Sequence, residues 1–116
     1  MNLILLGKPV STNTIYKYTC RGSFPAGYMS KEGKVIKESY QWQLKSQWKK
    51  KPFTSDVDLR MELFLNRQGK IDIDNFSKIV LDSCTGIVWN DDSQIQSLLI
   101  IKNYDKKNPR IELDVN

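Results

Sequence analysis

Residues 56–66 read Asp-Val-Asp-Leu-Arg-Met-Glu-Leu-Phe-Leu-Asn. Val57, Leu59, Met61, Leu63 and Leu65 alternate with Asp58, Arg60, Glu62 and Phe64. A period of two puts each set on its own face of an extended chain, so this is a strand with one buried and one mostly wet face. The rest of the fold is read outward from it. Asn2 to Leu6 is a buried first strand, stopped by Gly7 and Pro9. Gln94 to Tyr104 and Arg110 to Val115 are two further strands, joined by the polar turn 105–109.

Ser30 is the expected N-cap of a helix from Lys31 to Lys50. Ile36, Tyr40, Leu44 and Trp48 recur every fourth residue as its core face, and Val35 and Trp42 are expected to widen that stripe. A second helix, capped by Asp72 or Asp74, runs through Phe76, Ile79, Val80 and Leu81 and stops at Gly86. Residues 7–29 read as a long irregular stretch in which tyrosines and cations interleave. Such a stretch suits nucleic-acid contact, and equally a hairpin with ordinary surface tyrosines. The order strand, loop, helix, strand, helix, strand, strand implies an α+β fold: a small mixed sheet flanked by two helices, in a single domain over 1–116.

A chain of 116 residues buries enough surface to fold without staples. No apolar run approaches the roughly 20 residues of a membrane span. The first residues are too short and lack the basic flank of a secretory leader. Cys20 and Cys84 have no metal-type spacing and read as reduced thiols of a cytoplasmic protein.

Charge is segregated. Residues 1–50 carry nine Lys/Arg against two acids, and residues 51–116 carry nine against 11. A basic half favours a polyanionic partner, because phosphate neutralisation by Lys/Arg supplies most non-specific nucleic-acid affinity. Yet five of the 13 acidic residues (Asp72, Asp74, Asp82, Asp91 and Asp92) fall between positions 72 and 92, with Lys78 among them. Acid in a basic protein repels a polyanion unless a cation intervenes. Carboxylates that hold Mg²⁺ facing a basic surface are suited to cutting nucleic acid. The chain has no histidine, which disfavours zinc and excludes a Ser-His or Cys-His nucleophile. The basic half also argues against a glycosidase-type carboxylate pair.

One aspartate before a helix is ordinarily a cap, but the full set asks more. Asp74, Lys78 and Asp82 are spaced i, i+4, i+8 and line one helical face. Asp72 joins that side if Ile73 points into the core. The apolar Ile87-Val88-Trp89 is expected to return Asp91 and Asp92 toward the helix start.

The string Asp72-x-Asp74-Asn75-x-x-Lys78-x-x-x-Asp82, then Gly86, then Asp91-Asp92-x-x-Ile95, resembles the signature of RusA-type Holliday junction resolvases. Pro9-x-Ser11-x-Asn13 and Ser30-x-Glu32-Gly33 extend the likeness more weakly. The paired prolines and the basic run before the first aspartate that are common in the family are here reduced to Pro9-Val10 and to Arg67 and Lys70. The resemblance implies a Mg²⁺-dependent endodeoxyribonuclease, with Mn²⁺ able to substitute, that cuts four-way DNA junctions symmetrically as a homodimer in the cytoplasm, nucleoid-associated when on DNA. It implies metal ligands Asp72, Asp74 and Asp92, with Asp91 supporting, and a catalytic Lys78. Asp82, as an i, i+4 partner of Lys78, and Asn75 support the site. Asn13, Lys17, Arg21, Lys31, Lys34 and Lys70 are the candidate DNA contacts. The competing readings are a non-catalytic DNA-binding module, with the aspartates as caps and ion pairs, and a metal-dependent nuclease for other branched DNA, flaps or RNA.

Overall fold

The computed structural model describes residues 1–12, 16–21 and 24–116, with backbone alone at 17–21 and 24–27. Strand β1 (Asn2–Leu6) is followed by a hairpin of β2 (Tyr16–Arg21) and β3 (Phe24–Met29), then helix α1 (Lys31–Gln47) and strand β4 (Val57–Leu65). A 3₁₀ turn (Ile73–Phe76) runs directly into helix α2 (Ser77–Cys84). A second 3₁₀ turn (Asp92–Gln94) opens β5 (Ile95–Tyr104), and β6 (Arg110–Val115) closes the chain.

The main sheet is mixed, in the order β1-β6-β4-β5. Only the β4–β5 pair is parallel. A parallel pair needs a crossover, and the segment carrying the acidic cluster and α2 supplies it. The fold is therefore the α+β arrangement expected, a four-stranded mixed sheet with two helices among the described residues. No helix among the described residues is long and apolar enough to cross a membrane.

The alternation in β4 is realised in full: Val57, Leu59, Met61, Leu63 and Leu65 are all buried. Leu3 and Leu5 of β1 and Ile111, Leu113 and Val115 of β6 extend the same buried face. Tyr40, Leu44 and Trp48 from the α1 segment and Ile79, Val80 and Cys84 from α2 close over it. Ser30 caps α1 as expected, accepting from the Gly33 amide at 3.1 Å. Gly86 follows α2 at φ +89°, the left-handed conformation that ends a helix without a Cβ penalty.

Three expectations need correction. Val35 and Trp42 do not widen the core stripe, since they are 66% and 76% exposed. Trp42 lies two residues, about 200° of rotation, beyond Tyr40 and so faces away from the sheet. Helix α1 ends at Gln47 rather than Lys50, and the Trp48 ring turns in against Phe53, 5.3 Å between centroids. The stretch 7–29 is not irregular throughout, because β2 and β3 pair in antiparallel register from Tyr16↔Met29 to Arg21↔Phe24. Pro25 and Gly27 blur the strand signal there, and a two-stranded ribbon, being all edge, tolerates both.

One edge of the main sheet is closed by side chains. The Ile4 amide donates to Gln47 Oε1 at 2.8 Å, and Gln47 Nε2 donates back to the Ile4 carbonyl at 2.7 Å. Gln43 makes the same reciprocal pair with Leu6, at 2.6 and 3.5 Å. Two glutamines of α1 thus stand in for a fifth strand along β1.

Candidate active site

The approach to α2 is built by alternation. Ile71 and Ile73 pack against the core, which leaves Asp72 and Asp74 exposed between and beside them. Asp72 occupies the cap position of the first 3₁₀ turn with extended backbone, but its side chain makes no capping hydrogen bond. The residue at the α2 cap is Phe76, also without a side-chain cap. The capping explanation of these aspartates therefore fails. Among the described residues neither carboxylate has a hydrogen-bond or ion-pair partner. Asn75 ties this turn to the segment after β1: its carbonyl accepts from Thr12 Oγ1 at 2.6 Å, and its amide donates to the Asp72 carbonyl at 3.3 Å.

Lys78 is exposed on the first turn of α2, and its ammonium sits over the Tyr16 ring, 4.2 Å from the centroid. The expected i, i+4 pair with Asp82 is not formed within 4 Å. Asp82 instead accepts a hydrogen bond from the Tyr16 hydroxyl through Oδ2. The helical spacing does bring the lysine and aspartate to one face. Tyr16 is interposed between them.

Asp91 and Asp92 have different environments despite adjacency. Asp91 is exposed and forms a capping box with Gln94, whose Oε1 accepts from the Asp91 amide at 2.8 Å, while Ser93 Oγ donates to Asp91 Oδ2 at 2.9 Å. Asp92 is half-buried, and its Oδ1 accepts from Thr85 Oγ1 at 2.5 Å and from the Trp89 indole at 2.9 Å. Trp89 is wholly buried. Burial first, and the Asp92 charge second, push the Cys84 thiol well above the ordinary thiol range.

The predicted residues thus line α2 from end to end. Asp72 and Asp74 precede it, Lys78 and Asp82 lie along it, and Asp92 is held at its far end beside Thr85. Eight residues of helix span about 12 Å. Among the described residues no three carboxylate or thiol groups lie close enough together to hold a metal ion. The return through Ile87-Val88-Trp89 was expected to bring Asp91 and Asp92 toward the helix start; instead it leaves Asp92 at the C-terminal end of α2, bonded to Thr85, away from Asp72 and Asp74.

A cleft of about 490 Å³ opens beside Asp72, over Pro9, Val10, Leu65 and Phe76. Lys8, Arg67 and Lys70 line it together with Asn66 and Asn75. Lys70 was expected as a DNA contact. Lys8 has no motif of its own, and only its place just past β1, between Gly7 and Pro9, marks it. The described lining of this cleft includes neither Lys31 nor Lys34, which stand exposed on the first turn of α1. Asn13 and the side chains of Lys17 and Arg21 lie outside the described residues.

A basic domain that holds unpaired carboxylates beside a cationic cleft is laid out for chemistry on a phosphodiester polyanion. The chain belongs to the endodeoxyribonuclease RusA family, whose model matches residues 7–116. It is accordingly an endodeoxyribonuclease, and membership implies Holliday junction resolution. No curated protein matches the chain.

Proposed function

We propose that this domain resolves Holliday junctions by symmetric, Mg²⁺-dependent phosphodiester hydrolysis as a homodimer in the cytoplasm. The observation that carries the reading is the exposure of Asp72 and Asp74 without a capping or ion-pair partner among the described residues, in a chain whose match to the family spans them. Asp72 also shares its cleft with Lys8, Arg67 and Lys70, so carboxylate and cations face the same space.

The donor set fits a hard cation. All the donors are carboxylate oxygens, and Mg²⁺ characteristically takes one or two of these with waters and substrate phosphate oxygens. Asp72 and Asp74 give up no internal bond on binding and are the pair that would hold the ion. Asp92 keeps Oδ2 free of internal bonds among the described residues but stands at the far end of α2, so it would join them only if the loop after α2 moved toward the helix start. Asp91 supports Asp92 from the adjoining cap. A bound divalent ion supplies charge neutralisation and Lewis acidity at the scissile phosphate, and Mn²⁺ substitutes for Mg²⁺.

The protein's own groups do the rest. Lys78 stabilises the negative charge that builds on the phosphate oxygens as water adds to phosphorus and the P–O bond breaks. Asn75 holds the aspartate turn against the segment after β1. Lys8, Arg67 and Lys70 orient the flanking backbone. Two coordinated nicks require two such sites, hence the two-fold dimer.

The test is cleavage of a synthetic four-way junction with Mg²⁺ by wild type and Asp72→Asn. Wild type cuts with paired nicks and the variant binds without cutting. If both bind and neither cuts, the domain is a DNA-binding module. Flap, duplex and RNA substrates at one salt concentration decide between junction selectivity and another nuclease activity, since affinity is salt-dependent. Sedimentation of the same sample reads the dimer.

A further inference from the structure

We propose that Tyr16 is the positioning residue for Lys78, held in place by Asp82. The inference rests on the assignment of Lys78 to charge stabilisation. A lysine on a flexible four-carbon stem is a poor electrostatic catalyst unless something fixes it, because stabilisation comes from charge already in place when the transition state forms. An acidic partner at i+4 would fix it at the cost of neutralising it toward phosphate. Here the residue at i+4, Asp82, is engaged by the Tyr16 hydroxyl, and the ammonium rests on the ring of the same tyrosine at 4.2 Å. The face of an aromatic ring attracts a cation through its quadrupole without cancelling its charge. The amine keeps its full charge and its N–H groups for an incoming anion.

The tyrosine is itself anchored through both its hydroxyl and its backbone. Its hydroxyl donates to Asp82 on α2, and its backbone pairs with Met29 at the foot of the β2–β3 hairpin. Tyr16 and Met29 both pack against the core. Donation to a carboxylate also raises electron density in the phenol ring, which strengthens its hold on the ammonium. The order of action is therefore Asp82 on Tyr16, and Tyr16 on Lys78. Among the described residues this side chain joins the hairpin to α2.

The experiment joins single-turnover junction cleavage by the full chain in Mg²⁺ with NMR of the Lys78 ε-methylene, whose signals a ring beneath it shifts upfield. Tyr16→Leu is expected to slow cleavage on the order of tenfold at unchanged junction affinity and to abolish the upfield shift. Tyr16→Phe keeps the ring without the hydroxyl, so it retains much of the shift and loses less activity. In a Lys78→Ala background, Tyr16→Leu adds no further loss. An equal loss from Tyr16→Leu with and without Lys78 overturns the proposal, as does a wild-type Lys78 signal without an upfield shift. Lys78→Ala cutting at the wild-type rate, with the shift present in wild type, instead overturns the catalytic assignment of Lys78 on which the proposal stands. Should Tyr16→Leu fail to fold, the comparison of Tyr16→Phe in the two backgrounds carries the same decision.

Discussion

Trp89 donates its indole N–H to Asp92 across 2.9 Å from a wholly buried ring. With Thr85 Oγ1 on the same oxygen, this fixes which carboxylate oxygen of Asp92 faces inward. Thr85→Val and Trp89→Phe each remove one donor while keeping most of the volume. Hydrogen bonds to a charged acceptor contribute about 1.5–3 kcal/mol each, less where water can replace them. Each variant should lose about 1–2 kcal/mol in urea unfolding, with junction binding kept and cleavage reduced. Cleavage at the wild-type rate in both would mean that the orientation of Asp92 is irrelevant to the reaction.

Asp72→Asn and Asp74→Asn should behave oppositely. Among the described residues neither carboxylate caps a helix or pairs with a cation, so stability should stay within about 0.5 kcal/mol of wild type. Junction affinity should hold or tighten, because each change removes a repulsive charge facing phosphate, while cleavage is abolished. Weaker junction binding by either variant would show that this edge does not face the DNA backbone.

Lys8 and Arg67 border the same cleft as Asp72. Lys8→Ala and Arg67→Ala should weaken binding to all junction sequences alike and lower the slope of log affinity against log salt by about one each. Lys34→Ala, on the first turn of α1 and outside that cleft, should change the slope less. A titration series between low and physiological salt compares the three.

What could be read ahead of the structure follows from the range of the interactions. The alternation in β4 and the bounds of β1 and β6 are local and appear in the fold as expected, although β1, read as a buried strand, buries only Leu3 and Leu5 and leaves Ile4 and Leu6 exposed. Val35 and Trp42 are apolar but off the periodic face, and composition alone cannot place them. The Lys78–Asp82 pair follows from helical spacing, yet the residue that enters between them is 66 positions from Asp82 in sequence. The glutamines along β1 are invisible for the same reason, since Gln47 reaches Ile4 across 43 positions. Spacing along the chain shows which residues share a helical face, and the company their side chains keep is not legible from it.

That β1 edge is testable by itself. Gln43→Ala and Gln47→Ala each remove two reciprocal bonds to the strand backbone. At roughly 0.5–1.5 kcal/mol per net bond, each should cost about 1–2 kcal/mol, softened by solvent replacing the amide. The double variant also bares a row of unpaired backbone groups of the kind that recruits another chain. Light scattering should show concentration-dependent association beyond the dimer proposed for wild type. Equal monodispersity of the two would assign the glutamines a purely local role.

Tyr40 gives the pH dependence. It is buried on the core-facing side of α1 at 3% exposure, and burial pushes its hydroxyl up to about 12 from 10.0. The unfolded chain ionises this tyrosine near pH 10, while the folded chain keeps its proton to about 12. The unfolded state therefore binds fewer protons across that window, and stability falls as pH rises through it. Two units correspond to at most about 2.7 kcal/mol. Cys84 acts in the same direction, since burial also holds its proton on. Tyr40→Phe removes the tyrosine's share, so the variant should lose less stability than wild type between pH 9 and 12 in urea unfolding. Parallel curves for the two proteins would show that Tyr40 ionises as readily folded as unfolded, and that the alkaline loss arises elsewhere.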